Sequence, residues 1–219
     1  MNSVTVRVCI FILSSLFVVQ VTGCQTAYYK TMEKFGYHKR DILADRVVDA
    51  KETQEEAKEQ FKSALEKFSA VVNFKGGKLE DKYNQLNDEY EKSEEKAKDV
   101  SKRIESVEGV AEDLFEEWNA ELDQYTNSSL RRSSEKQLKQ TKTKYTQLIG
   151  AMKRAEKKIA PVLSAFRDQV LFLKHNLNAQ AIASLQGELI SIEADVASLI
   201  REMEASINEA DSFIQSIAE

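Results

Sequence analysis

Residues 79–125 read LEDKYNQLNDEYEKSEEKAKDVSKRIESVEGVAEDLFEEWNAELDQY, and this stretch decides the fold class. Steps of four and three residues along it fall almost always on an apolar or aromatic side chain. Twelve of the fourteen sampled positions are of that kind; the fourteen are Leu79, Tyr83, Leu86, Tyr90, Ser93, Ala97, Val100, Ile104, Val107, Ala111, Leu114, Trp118, Glu121 and Tyr125. A sustained spacing of 3.5 residues predicts long helices that pack at a shallow angle with interlocking side chains.

The same spacing recurs on both sides of this stretch, and few residues interrupt it. The chain of 219 residues has one Pro and seven Gly, and 31% of its residues are charged, which is typical of long solvated helices. The predicted helical arms are 41–73, 79–126, 130–175 and 179–218. The sequence therefore predicts an all-α fold, an elongated antiparallel helical bundle or coiled coil of about four long arms.

The third break is less clearly marked than the first two. Gly76-Gly77 and Asn127-Ser128-Ser129 carry residue types that end and begin helices. Residues 175–178, His-Asn-Leu-Asn, are compatible with a turn but also with continuous helix. The alternative to four arms is two arms followed by one very long bent helix.

Charge is distributed in two opposite blocks around Asn127. Residues 104–126 contain eight acidic side chains and no Lys or Arg, whereas residues 130–158 contain ten basic and two acidic ones. An antiparallel hairpin at Asn127 would lay one block beside the other, and like-charge contacts would penalise other pairings. The adjacent acidic block and the net charge of −5 argue against a nucleic-acid partner.

The N-terminus has the pattern of an export signal. Arg7 precedes an apolar run over residues 8–19, which is short for a membrane-spanning helix of about 20 residues. The run is followed by Val21, Thr22, Gly23 and Cys24, which resemble the lipobox of bacterial lipoproteins. This resemblance implies that residues 1–23 are a signal peptide that is removed and that Cys24 carries the lipid. The alternative is an ordinary secretory signal with an incidental cysteine.

Cysteine content agrees with lipid attachment. The chain has two cysteines, and Cys9 lies in the segment predicted to be removed. Cys24 is then the only cysteine of the mature chain, so no internal disulfide is expected. Several acyl chains on one residue give stable anchoring, because each buried CH₂ contributes about 0.8 kcal/mol.

Residues 24–40 are predicted to be a lipid anchor and tether, ahead of the helical domain at 41–219. Aromatic and basic side chains alternate there, and aromatic rings favour the bilayer interface. The predicted membrane-proximal residues are Tyr28, Tyr29, Lys30, Lys34, Phe35 and Tyr37. A simple tether without membrane contact is the alternative.

Motifs for catalysis, metals and cofactors are not found. The two histidines, His38 and His175, are far apart in sequence, and there is no HxxxH or CxxC spacing. Gly76-Gly77-Lys78 lacks the spacing of a phosphate-binding loop and indicates a helix reversal instead. We therefore expect no catalytic residues, no metal, no cofactor and no enzymatic activity.

Three features together resemble a known protein family. They are the lipobox, the tyrosine-rich segment 25–40 and the helical run 166–179, FRDQVLFLKHNLNA. They resemble a family of bacterial lipoproteins classed only as a domain of unknown function. The resemblance implies a Gram-negative envelope lipoprotein and supplies no activity. Gln25, rather than Asp, after the cysteine resembles the sorting pattern for the outer membrane.

These observations predict a non-enzymatic envelope lipoprotein, anchored in the outer membrane and facing the periplasm. A lipid-anchored helical rod would act as a spacer, adaptor or scaffold. The alternative is a periplasmic carrier or chaperone-like module with a groove between helices. The expected partners are the membrane, through the lipid, and a protein whose identity the sequence does not give; a homo-oligomer is possible.

Overall fold

The computed structural model describes residues 38–73 and 78–218, which form four long α-helices. Their bounds are α1 Lys39–Val72, α2 Leu79–Leu122, α3 Ser128–His175 and α4 Ala179–Ala218. No strand occurs among the described residues. The all-α prediction with four arms is confirmed. The chain divides into two compact units, Met1–Ile42 and Leu43–Glu219, and the packing that follows is that of the second.

The third break is a turn, so the long bent helix is wrong. α3 ends at His175 and α4 begins at Ala179. The side-chain oxygen of Asn178 accepts a hydrogen bond from the backbone N–H of Ala181 over 3.0 Å. An amide side chain in this position satisfies one of the free N–H groups at the start of a helix.

The second arm ends earlier than the sequence predicts, at Leu122 rather than at residue 126. Asn127 is extended, with φ −91° and ψ 111°, and its side chain accepts hydrogen bonds from the backbone N–H groups of Ser129 and Leu130. Because Asn127 caps α3, residues 123–126 are needed to reverse the chain. Heptad spacing alone does not predict this need for residues that reverse the chain.

Each helix runs antiparallel to its two neighbours. Asp49 of α1 forms an ion pair with Arg103 of α2 over 3.1 Å, and Lys51 of α1 forms one with Asp211 of α4 over 2.7 Å. α3 closes the bundle, because it contacts α2 through the hairpin and contacts α4 by the pair Arg154–Glu202 at 3.6 Å. The order around the bundle is therefore α1, α2, α3, α4.

Large apolar side chains fill the centre. Phe61 of α1 and Phe166 of α3 stack across the diagonal, with ring centroids 6.5 Å apart. Both side chains are fully buried, and burial of such a side chain contributes about 1.5–3 kcal/mol. Eight of the fourteen heptad positions in residues 79–125 are buried, all of them between Leu86 and Leu114.

The hairpin of α2 and α3 extends beyond the four-helix part. The ion pair Asp49–Arg103 sets the antiparallel register of α1 and α2, and counting from it places Leu43 at about the level of Gly109. Beyond that level, no residue from 116 to 133 is buried. We call residues 116–140 the spur. From residue 128 to residue 140 it measures about 18 Å at 1.5 Å per residue. In the part of the unit described, the spur consists of two helices where the rest of the bundle has four.

Candidate functional site

The predicted lipid-attachment site and membrane-proximal segment lie outside the described residues. This applies to Val21, Thr22, Gly23, Cys24, Tyr28, Tyr29, Lys30, Lys34, Phe35 and Tyr37. The described helices begin directly after this segment, at Lys39. The candidate site that can be built from geometry is therefore a surface of the bundle.

The described helices carry neither a membrane span nor a metal cluster. None of them is both long and apolar enough to cross a bilayer. Within residues 38–73 and 78–218, no three His, Cys, Asp or Glu side chains are grouped to hold a metal ion. His38 and His175 are exposed, and His175 is the last residue of α3.

The acidic and basic blocks lie side by side, as the sequence predicts. Glu108 of α2 and Lys153 of α3 form an ion pair at 2.5 Å, and Asp123 and Arg131 form another at 2.9 Å near the turn. Together these pairs fix the register of the hairpin along its length. We call the outward surface shared by the two helices the α2–α3 face.

Several charges of the two blocks are exposed on this face rather than paired within the hairpin. The acidic row consists of Glu105, Glu112 and Glu116, which are exposed and have no ion-pair partner among the described residues. Their spacing of seven and four residues places them on one side of α2. The face therefore presents unneutralised carboxylates along α2.

The basic row runs along α3. It consists of Lys139, Lys153 and Lys157, spaced by fourteen and four residues and exposed. Only Lys153 is paired among the described residues, and the hydrogen bond that it donates to the Glu108 carboxylate raises the pKa of Lys153. Two parallel rows of opposite charge thus lie next to each other on one face.

An aromatic contact joins the helices beneath the rows. The rings of Phe115 and Tyr145 meet edge to face, with centroids 5.4 Å apart, and Lys142 Nζ lies 5.5 Å from the Phe115 centroid. Burial, together with the charges of Glu108 and Glu112, raises the pKa of Tyr145 to about 12. This influence places Glu112 on the side of α2 that faces α3.

Two open grooves follow the α2–α3 face. One, of about 360 Å³, has Leu122, Leu138, Lys139 and Lys142 among its lining residues. The other, of about 510 Å³, is mainly apolar and lies farther from the turn. Its lining residues are Glu94, Ala97, Lys98, Ser101, Lys102, Glu156, Ile159, Ala160 and Leu163.

The opposite side of α2 holds a polar cluster within the packing against α1. Buried Glu89 accepts hydrogen bonds from Gln60, Ser63 and Lys92 at 2.8, 3.1 and 3.0 Å. Burial by itself would raise the pKa of Glu89, but the three donors outweigh it and leave the pKa below its ordinary value. The cluster joins α1 to α2, and its hydrogen bonds hold the Glu89 carboxylate in the packing between the two helices.

Two buried polar side chains in the core are unsatisfied. Gln54 of α1 is 1% exposed and Ser206 of α4 is fully buried, and neither has a side-chain hydrogen-bond partner among the described residues. The pairs Lys51–Asp211 and Lys58–Glu204 place Ser206 at a level between Gln54 and Ala57. Gln54 and Ser206 therefore lie at nearly the same level of the core, surrounded mainly by apolar side chains.

The sequence identified the charges of the face but not their arrangement. Each member of both rows belongs to one of the two blocks flanking Asn127. Sequence spacing alone did not separate the charges that pair within the hairpin from those that stay free. The helical angles of Glu105, Glu112 and Glu116 relative to the known contacts of Glu108 and Phe115 supply that distinction.

Comparison with known proteins assigns a family and no activity. No curated protein matches the chain. The family model described as "Protein of unknown function (DUF2959)" matches residues 28–217, which include nearly all of the four helices. The chain therefore belongs to the DUF2959 family of proteins of unknown function.

Proposed function

We propose that this protein is a non-enzymatic lipoprotein of the bacterial cell envelope, held at the periplasmic face of the outer membrane by lipid on Cys24. Its helical domain would act as a spacer, adaptor or scaffold. The observation that carries the proposal is the sequence Val21-Thr22-Gly23-Cys24 directly after an apolar run of signal-peptide length. A lipid-modified cysteine there would attach the bundle to a membrane without a spanning helix.

The helical domain suits a role that depends on reach. α3 has 48 residues and is about 70 Å long at 1.5 Å per residue. Two groups with shifted pKa values, Glu89 and Tyr145, contact neighbouring helices and contribute to packing. Perturbed carboxylates also occur in structural networks, and this one fits that class.

The anchor is tested by replacing the cysteine. Cys24→Ala should move the protein from the membrane fraction to the soluble fraction and abolish incorporation of labelled palmitate, with the circular dichroism of the domain unchanged. Cys9→Ala is the matched control, because Cys9 lies in the segment predicted to be removed, and it should retain both properties. A Cys24→Ala protein that still pellets with membranes at high salt would refute the lipoprotein assignment.

The spacer role is tested by length. Removing two heptads from each of the four helices, with turns and anchor retained, should shorten the bundle by about 20 Å at 1.5 Å per residue. If reach is the function, a folded, shortened protein should fail to rescue the phenotype of a deletion strain. Full rescue would eliminate the spacer and favour a surface or groove.

A second candidate, a periplasmic carrier or chaperone-like module, is favoured by the apolar groove of about 510 Å³. Its apolar lining from Ile159, Ala160 and Leu163 offers a place for an acyl chain or apolar peptide. Leu163→Glu should then reduce binding of an apolar fluorescent probe such as anilinonaphthalene sulfonate. Leu171→Glu, at an exposed leucine outside the groove lining, is the control and should leave binding unchanged.

A further inference from the structure

We propose that the α2–α3 face joins two copies of this chain, side by side, about a two-fold axis parallel to the helices. In this arrangement the acidic row of each copy lies on the basic row of the other. The inference goes beyond the proposed function and does not depend on the lipid anchor, because it rests only on described residues of the bundle.

The geometry of the rows makes the face self-complementary. A two-fold axis parallel to the helices keeps every residue at its own height and places α2 of one copy opposite α3 of the other. The pair Glu108–Lys153 relates the heights, so that Glu105 lies at about the level of residue 156 and Glu116 at about that of residue 145. Glu105 of one copy therefore lies at nearly the height of exposed Lys157 of the second copy, next to Glu156, which is half-buried.

The same operation aligns the charges nearer the spur. Nearer the turn the pair Asp123–Arg131 sets the heights, and it places Glu116 at about the level of residue 138. Between these two estimates, residues 138 and 145, lie Lys139 and Lys142 of the second copy, so Glu116 of one copy comes near both. Since the axis is two-fold, every such contact occurs twice. Rows that lack partners within one chain, Glu105 and Glu116 on α2 and Lys139 and Lys157 on α3, thus gain opposite charges between chains.

Lysine residues of α2 also lie near an acidic residue of α3 beside the apolar groove. Beside the apolar groove, α2 carries Lys98 and Lys102, whereas α3 carries Glu156. The two-fold arrangement brings Lys102 of one copy to within about one helical turn of Glu156 of the second. The apolar groove floor, with Ile159 and Leu163, lies between these charges and would be covered. A face that carries charges of both signs favours a second copy over a uniformly charged partner.

The spur gives a further reason for association. Two helices alone bury little apolar surface, and a second spur alongside would produce four neighbouring helices at this level too. Over residues 94–116 the face is about 33 Å long at 1.5 Å per residue and about 20 Å wide across two helices. Two such faces would bury about 1,300 Å², within the range of specific interfaces.

The experiment exchanges the charges of the rows. All proteins carry Cys24→Ala and otherwise the full mature chain, and their mass is measured by sedimentation equilibrium at about 50 mM salt. Variant one combines Glu105→Lys with Glu116→Lys, and variant two combines Lys139→Glu with Lys157→Glu. These side chains are exposed and form no ion pair among the described residues, so the fold should be retained, as checked by circular dichroism.

The parent should be a dimer that dissociates as salt rises toward 1 M. Each variant alone should be a monomer, with a dissociation constant weakened by about tenfold or more, because like charges then face each other. An equimolar mixture of both variants should form the heterodimer, and the chain with all four substitutions should dimerise again. No general effect on stability produces this pattern.

Charge reversals outside the α2–α3 face provide the matched control. Lys67→Glu on α1 with Glu188→Lys on α4 changes two exposed charges away from the face and should leave the dimer intact. A monomeric parent at tens of micromolar, or a mixture that does not associate, would overturn the proposal. A parent that is monomeric but binds phosphatidylglycerol vesicles through Lys139 and Lys157 would overturn it as well and assign the basic row to anionic lipid.

Discussion

Trp118 of α2 donates a hydrogen bond from its indole nitrogen to the hydroxyl of Ser134 on α3, over 2.8 Å. This contact lies inside the spur. Ser134 is buried, whereas none of the residues from 116 to 133 is buried. Between it and the turn, the ion pair Asp123–Arg131 joins the two helices through exposed side chains. Polar contacts thus contribute to holding the spur together, along with buried Leu138.

The spur should open before the bundle does. Regions with few buried apolar contacts exchange their amide hydrogens through low-energy local openings. We expect amides of residues 118–133 to exchange faster than those around Phe61 and Phe166. Ser134→Ala should accelerate exchange in the spur and leave α1 unchanged. Equal protection along α2 and α3 in a sample shown to be monomeric would contradict this reading.

Removing the cap of α3 should destabilise the chain. Asn127→Ala eliminates the acceptor for the N–H groups of Ser129 and Leu130, and such a loss costs about 1 kcal/mol. Asn127→Asp keeps an acceptor and serves as the control. Urea unfolding measures both variants. If spur opening precedes global unfolding, the effect should appear first in the fluorescence of Trp118, the only tryptophan.

Replacing the unsatisfied core amide should stabilise the bundle. Gln54→Leu removes two buried polar atoms without hydrogen-bond partners and keeps a similar side-chain volume. An unsatisfied buried group costs about 1–3 kcal/mol, so the free energy of unfolding should rise by an amount of that order. Gln60→Leu is the contrasting variant, because Gln60 donates to Glu89, and it should destabilise. A less stable Gln54→Leu protein would show that the amide is satisfied in solution.

A glycine within α4 offers a second stabilising change. Gly187 is exposed, and an added Cβ would meet nothing within 4 Å. Gly187→Ala should therefore raise the free energy of unfolding by about 0.5–1 kcal/mol through reduced freedom of the unfolded chain. Gly187→Pro, which removes a backbone N–H from the same helix, should do the opposite. Thermal unfolding distinguishes the two results.

Alkaline pH should weaken the contact of α2 with α3. Burial holds the pKa of Tyr145 at about 12, above the ordinary value of 10. The resulting stability is complete below pH 10 and is lost as pH rises toward 12, because the unfolded tyrosine releases its proton first. A phenolate titration followed at 295 nm should show a late step that Tyr145→Phe removes. Tyr125→Phe, outside the helices, should leave that step in place.

The sequence was sufficient to predict the helices and the hairpin pairing. Heptad spacing from Leu86 to Leu114 matches the buried side of α2, and the charge blocks around Asn127 correctly placed α2 against α3. These properties are local, because they depend on residues within one helix or on two helices joined by one turn. These properties can therefore be predicted from one sequence.

The spur was not predicted, although its signal was present. α1 has 34 residues, whereas α2 and α3 have 44 and 48, so α1 cannot accompany its neighbours over their full length. Where the excess falls depends on the register between helices. Pairs such as Asp49–Arg103 and Lys51–Asp211 set that register, and they join residues 54 and 160 positions apart. Spacing within one helix contains no information about such pairs.

The register of the helices gives the bundle two chemically different ends that can be addressed separately. Leu43, where the chain enters the second unit, and Ala218, at the end of α4, both lie toward the spur, while the turn at residues 176–178 lies at the opposite end. A fluorophore placed after Glu219 and another at Asn178 would be separated by about 60 Å, the length of α4 at 1.5 Å per residue. In cells, the distance of each label from a membrane dye would report which end of the bundle lies nearer the membrane of the proposed anchor.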